Sequence, residues 1–170
     1  MNTARKRLLL VGGAACLLLS ASSVFQPAKR LIFNTTASAP LGFYWLADNE
    51  PAVGDLALVR PPRPLARWMA IRSYLPLNVP LIKHVAAVGG QSVCGRGGLI
   101  RIDGRVVARP RHRDHLGRPL DAYAACRTLR ADEVFLLNPD APRSLDGRYF
   151  GPLPRHCVAG RLRPLWTWER

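Results

Sequence analysis

Three short segments hold the side chains whose types and spacing could do chemistry together. The first, Thr35-Thr36-Ala37-Ser38-Ala39-Pro40-Leu41-Gly42-Phe43-Tyr44, sets a hydroxyl among small neighbours. Pro40 fixes its own φ and biases Ala39 towards an extended form, and Gly42 admits close backbone approach. Ser38 is thereby left accessible for use as a nucleophile, although by itself it is a serine in a small-residue turn. The second segment, residues 79–90 (VPLIKHVAAVGG), places Leu81, Lys83, Val85 and Ala87 on one face of a strand. Ile82, His84, Ala86 and Val88 share the other face, so His84 is not read as a partner of Lys83. An ammonium among aliphatic side chains is costly, because desolvation disfavours the charged form and lowers its pKa. A lysine kept neutral in this way is a competent general base near physiological pH. One that snorkels to water from an edge strand is not. The third segment, residues 138–152 (NPDAPRSLDGRYFGP), reads as a polar turn with Ser144, Asp146 and Arg148 at alternating positions. Asp146 and Arg148 can pair and Ser144 can reach a neighbouring amine; a loop ordered by its own ion pair is the plainer reading.

The choice of lysine at position 83 is informative. The 25 cationic side chains include only three lysines, Lys6, Lys29 and Lys83, and the first two flank an apolar segment. Beyond Arg30 the chain uses arginine everywhere else. Lysine can lose its proton when buried; arginine effectively cannot.

Short strands must position these groups. Fifteen prolines and fourteen glycines in 170 residues leave no room for a long helical bundle. The length admits one ordinary domain, which excludes a multidomain enzyme, a coiled coil and a polytopic transporter. Strands are predicted at 43–46 and 56–59 (hairpin-like), 81–88 and 134–137, with a hairpin over 99–107 turning at Asp103-Gly104. Residues 158–168 read as a final strand pair or an edge. Residues 61–80 are bounded by proline and carry Leu65, Trp68, Met69 and Arg72 at helical spacing. That pattern predicts a short amphipathic helix, packed on the sheet or touching a bilayer. The expected architecture is mainly β with one N-terminal transmembrane helix.

That helix is expected over residues 8–25 (LLLVGGAACLLLSASSVF), which carry no charge and follow Arg5-Lys6-Arg7. Their helical length of about 27 Å matches a hydrocarbon core. The preceding cations predict a cytoplasmic N-terminus and an exported remainder. A cleaved signal peptide is the alternative, given the small residues at 20–23. Residues 1–27 are therefore read as a cytoplasmic basic tip and anchor, or a signal segment. Residues 28–170 are read as a β-rich catalytic domain in the periplasm of a bacterial inner membrane, with 94–126 a hairpin excursion. Cysteines in an oxidising space tend to pair. Cys94 and Cys126 bracket the Gly-, Arg- and His-rich excursion, and a disulfide between them is expected to close it. No C-x-x-C occurs, and His84, His112, His115 and His156 lack ligand spacing, so neither a metal nor another cofactor is expected. The net charge of +14 is scattered over loops without a recognition-helix pattern. It suits the surface of an anionic lipid bilayer rather than nucleic acid.

In combination and in this order, S-x-P-x-G-x-Y at 38–44, K-H-V-A-A-V-G-G at 83–90 and S-L-D-G-R-Y-F-G at 144–151 resemble the type I signal peptidase family of Ser-Lys proteases. The likeness is to its conjugative-transfer, TraF-like branch in particular, and it covers about residues 5–168. It implies a signal-peptidase or LexA-like β-fold, with Ser38 as nucleophile and Lys83 as general base. It further implies an oxyanion hole from the Thr36 hydroxyl and the Ser38 N–H, with Ser144 orienting the lysine and Asp146, beside Arg148, in support. Ala39 stands where the housekeeping enzymes commonly carry Met, and Gly147 where they often have a second Ser; both departures favour the conjugation branch. The implied function is endoproteolysis of exported, membrane-bound precursors such as a pilin subunit, alongside conjugation or type IV secretion machinery. The acyl-enzyme would be hydrolysed, or attacked by the substrate's own N-terminal amine to give a cyclic peptide, with Asp146 a candidate to bind that amine. Two readings from other classes stand beside this one. A LexA-like self-cleaving regulator would need a DNA-binding module and cytoplasmic placement. A non-catalytic, basic, membrane-anchored component of a secretion assembly would explain the charge without chemistry.

Overall fold

The computed structural model describes residues 3–24 and 30–168. Helix α1 (Thr3–Val24) comes first, its described side chains exposed. Among the described residues no helix is long and apolar enough to cross a membrane. Phe25, Lys29 and the expected boundary at 27/28 lie outside the described residues.

The rest is mainly β. Strands β1 (Leu31–Asn34), β2 (Leu41–Ala47) and β3 (Leu56–Val59) precede helix α2 (Arg63–Ile71) and strand β4 (Leu81–Val88). The chain continues through β5 (Ser92–Arg96), β6 (Leu99–Ile102), β7 (Arg105–Ala108), β8 (Cys126–Thr128) and β9 (Glu133–Leu137). A short helix α3 (Gly147–Phe150), strand β10 (Leu153–Pro154), a 3-10 turn at Arg155–Cys157 and the long strand β11 (Val158–Trp168) complete it. Seven strands form one antiparallel sheet in the order β1-β2-β11-β3-β4-β9-β10, and four form a second in the order β7-β6-β5-β8.

Two expectations are corrected here. Strands β2 and β3 are not a hairpin, because β11 lies between them and pairs with both. By the same pairing β11 is an interior strand, neither an edge nor a strand pair. It fits because Gly160 lets its backbone approach Ala47 where a side chain would collide, and because Leu162 fills the core beneath β2. The hairpin at Asp103-Gly104 is present as β6–β7, with positive φ of 49° and 80° at its two central residues, the geometry that Asp-Gly favours. Cys94 and Cys126 face each other across β5 and β8 and are joined by a disulfide.

Strand β4 is the spine of the molecule. It is flanked by β3 and β9, so both of its edges are paired. Beyond it the chain turns at Gly89-Gly90 into the second sheet, and Ala87 and Phe135 pack against Val93, Ile100, Ile102 and Leu129 to join the sheets. Helix α2 packs on the larger sheet: Met69 is buried against Val59, Val85 and Leu136, with Leu65 and Trp68 beside it.

Candidate active site

The turn between β1 and β2 carries Ser38, and two buried polar groups shape it. Asn34 ends β1, and its Oδ1 accepts from the Thr36 N–H at 3.0 Å and the Thr36 hydroxyl at 2.8 Å. Its Nδ2 lies 3.0–3.1 Å from the carbonyls of Thr36, Ala39 and Pro40. An asparagine that bonds the backbone two residues on is a turn former, and here it wraps the whole segment around itself. Tyr44, buried in β2, donates its hydroxyl to the Pro40 carbonyl at 2.6 Å. Gly42 holds φ at 135°, and a Cβ there would meet the Thr167 backbone at 2.8 Å. Only glycine lets β11 close over this turn. Ser38 itself stays half-buried, its Oγ 3.4 Å from the Thr36 Oγ1. Its N–H has no acceptor among the described residues.

Lys83 sits opposite Ala57 at the centre of the larger sheet and is 3% exposed. A lysine on an interior strand cannot snorkel, so its Nζ finds a protein partner: it donates to Ser144 Oγ at 2.6 Å. Burial pushes its pKa down to about 8; the Asp146 carboxylate raises it and the Arg148 guanidinium lowers it. Near neutrality the amine is therefore mostly charged, with about a tenth of it neutral at pH 7. His84 lies on the other face and bonds Asn138 instead.

Residues 138–150 differ from the polar surface turn expected of them. Asn138, Ser144, Asp146, Gly147 and Arg148 are all buried. Burial is tolerated because each charge is met: Arg148 Nη2 and Nε reach the two Asp146 oxygens at 2.7 and 2.8 Å, and Nη2 also donates to the Asn138 and Ala141 carbonyls. The Asn138 N–H donates to Asp146 Oδ2 at 3.1 Å. Asp146 is 0% exposed with both oxygens occupied, so it cannot receive a substrate's amine, and that expectation is corrected. At Gly147 a Cβ would lie 2.7 Å from the Leu136 carbonyl and 2.8 Å from the Phe135 ring, which leaves no room for a serine.

Ser38, Lys83 and Ser144 open on to one cavity of about 570 Å³, walled by Ile32, Leu58 and Val79. Among the described residues no hydrogen bond joins Ser38 Oγ to Lys83 Nζ directly. Catalytic bonds are often long before substrate arrives. The arrangement offers a hydroxyl, a buried amine able to take its proton and a free N–H beside them. Thr36 also lines this cavity, with its hydroxyl hydrogen given to Asn34. Among the described residues no three His, Cys, Asp or Glu side chains converge as a metal would require. Asn34 and Asn138 were not singled out as site residues in the sequence. Each stands where an apolar run stops at a turn, and that position was the one available signal.

The chain belongs to the signal peptidase family, peptidase S26, whose family model matches residues 4–168. It is a serine peptidase by that membership. Among its relatives, the plasmid transfer protein TraF of Escherichia coli is 31% identical over 168 residues, 93% of each chain. A probable conjugal transfer protein TraF of Sinorhizobium fredii is 37% identical over 146 residues, covering 79% of this chain and 76% of the relative. A crystal structure of a signal peptidase I from Enterococcus faecalis is 20% identical, with a TM-score of 0.43 over 69% of this chain and 100% of that one. A likeness that loose carries no argument about the site.

Proposed function

We propose that this protein is a membrane-attached serine endopeptidase that cleaves exported precursors through an acyl-enzyme, with Ser38 as nucleophile and neutral Lys83 as general base. One observation carries the reading: a buried amine, its pKa lowered to about 8, shares a cavity with Ser38 while Ser144 holds it in place. A serine hydroxyl is a weak nucleophile until a neighbouring base takes its proton. Lys83 accepts that proton as Ser38 Oγ adds to the scissile carbonyl, then delivers it to the leaving amine. The Ser38 N–H stabilises the developing oxyanion, joined by the Thr36 hydroxyl once it turns from Asn34; one such donor contributes about 3 kcal/mol. Ser144 orients the lysine, and the Asp146–Arg148 pair braces the loop that carries Ser144.

The uncharged run 8–25 behind Arg5-Lys6-Arg7 supports attachment to a bacterial inner membrane with the β-domain in the periplasm. The conjugal-transfer names of its relatives support a substrate drawn from a conjugation apparatus, such as a pilin subunit. Water releases the acyl group by hydrolysis; the substrate's own N-terminal amine would release it as a ring.

The test is intact-mass measurement of a pilin precursor co-expressed with wild type, Ser38→Ala or Lys83→Met. Cleavage is expected with wild type alone, and a product lighter by one water, about 18 Da, marks ring closure over hydrolysis. Cleavage that persists in both variants would leave a non-catalytic component of a secretion assembly.

A further inference from the structure

Ser38 stands at the junction of two cavities. One holds Lys83 and Ser144. The other, of about 420 Å³, lies on the far side of the turn and is walled by Leu41, His84, Asn138, Asp140 and Trp168. Among the described residues only Ala37 and Ser38 line both. The loop after β9 straddles the nucleophile, with Arg143 on the Lys83 side and Asp140 on the far side. The two sides of Ser38 therefore differ in charge.

Asp140 is placed, not adrift. Its turn is closed by the Ala141 N–H on the Asn138 carbonyl at 3.2 Å, and Asn138 Nδ2 grips the Ser38 carbonyl at 2.6 Å. The backbone that carries Asp140 thus has a set relation to the nucleophile's backbone, while its carboxylate is exposed. This is a chain of 25 Lys and Arg against 11 Asp and Glu, and arginines capture Asp48, Glu50, Asp55, Asp114, Glu133 and Asp146. Asp140 has no hydrogen bond or ion pair among the described residues. A carboxylate and an indole ring that line one cavity suit a primary ammonium, through a charge-assisted hydrogen bond and a cation–π contact.

We propose that this second cavity binds the α-ammonium of the peptide on the amine side of the reaction, with Asp140 as its counter-charge. The inference rests on the reading of Ser38 as nucleophile and adds where the amine sits. On cleavage the C–N bond breaks, the new N-terminus takes the proton from Lys83, and it leaves through this cavity. In ring closure an N-terminal ammonium docks at Asp140 and gives one proton to water. The neutral amine then attacks the ester carbonyl of acyl-Ser38: a C–N bond forms and the C–Oγ bond breaks. The amine's second proton passes through Lys83 to Ser38 Oγ, restoring the free enzyme.

The test is binding, without turnover, to the Ser38→Ala protein of the tripeptide amide Gly-Ala-Ala-NH2 and its N-acetylated twin, followed by NMR titration. The free-amine peptide is expected to bind at least about tenfold more tightly than the twin. Adding Asp140→Asn removes the preference, and Asp140→Glu keeps it. Equal binding of the two peptides, or a preference that survives Asp140→Asn, overturns the proposal. Failure of the peptidase reading shows separately, as precursor cleavage that does not depend on Ser38.

Discussion

Asn138 Nδ2 donates at 2.6 Å to the main-chain carbonyl of Ser38, which lies 100 residues earlier in the chain. The same amide nitrogen is 3.2 Å from the Ile82 carbonyl, one residue before Lys83. The Asn138 Oδ1 accepts from the His84 N–H, one residue after it, at 3.2 Å. Its own N–H donates to Asp146 Oδ2. One buried amide therefore ties the nucleophile's turn, the lysine's strand and the ion-paired loop into a single frame. The hydroxyl and the amine are held in relation to each other through the backbone, not by a bond between them.

Asn138→Ala should break that frame. Two carbonyls and one N–H lose a buried partner, which costs about 2–4 kcal/mol of stability. Misplacement of the turn by even an ångström should lower kcat by roughly 10²-fold, with a smaller change in KM. Denaturant midpoints and steady-state kinetics on a peptide substrate check both. An Asn138→Ala protein with full kcat would show that Ser38 is positioned by other means.

The pH dependence follows from Lys83. With a pKa of about 8, about a tenth of the amine is neutral at pH 7. Since the neutral form is the base, kcat/KM should climb nearly tenfold per pH unit up to about 8 and level off above it. A profile flat between pH 6 and 9 would remove Lys83 from the reaction.

How far the site was legible in the sequence differs from residue to residue. Lys83 could be placed because a strand's alternation fixes its face and because it is the lone lysine beyond Arg30. The pairing of Asp146 with Arg148 was readable from their spacing. Their burial was not: a run of Ser, Asp and Arg between prolines has the composition of a surface turn, and only mutual neutralisation takes it inside. Asn34 and Asn138 looked like strand stops because their partners are carbonyls brought to them by the fold. The interior place of β11 was hidden for a similar reason, since its pairing with β2 joins residues 114 apart, as at Arg161 and Ala47. The long-range likeness of three motifs in order supplied what local pattern could not.

Stability should depend on Lys83 with a definite sign. Its folded pKa, about 8, lies below the ordinary 10.5. Below pH 8 the lysine is charged in both states, and the full cost of burying that charge is present. Between 8 and 10.5 the unfolded chain binds a proton that the folded one does not, so stability rises with pH. Lys83→Met should therefore stabilise the protein at pH 7, and its advantage over wild type should shrink by about 2 kcal/mol at pH 9.5. Urea unfolding at the two pH values checks it; an advantage that grows with pH would contradict the burial of the charge.

The Asp146–Arg148 pair should behave as a unit. Asp146→Ala leaves the Arg148 guanidinium, itself buried, without a counter-charge, at a cost of about 3–5 kcal/mol. The double change Asp146→Leu with Arg148→Met removes both charges and should recover much of that loss. Calorimetric melting of the single and double variants separates the cases; equal losses would mean that the ion pair is not what stabilises the loop.

The disulfide should matter for folding and not for chemistry. Cys94 and Cys126 are 32 residues apart in sequence, and opening a loop of that size releases chain entropy equivalent to about 3–4 kcal/mol. None of the strands β5–β8 lines either cavity beside Ser38. A Cys94→Ser/Cys126→Ser protein should unfold at lower denaturant yet cleave substrate at the wild-type rate while folded. The bond lies across adjacent strands of the smaller sheet, whereas Lys83 belongs to the larger one, so any loss should appear in the unfolding midpoint alone. A fall in kcat at a temperature where the double variant is fully folded would instead couple the smaller sheet to the site.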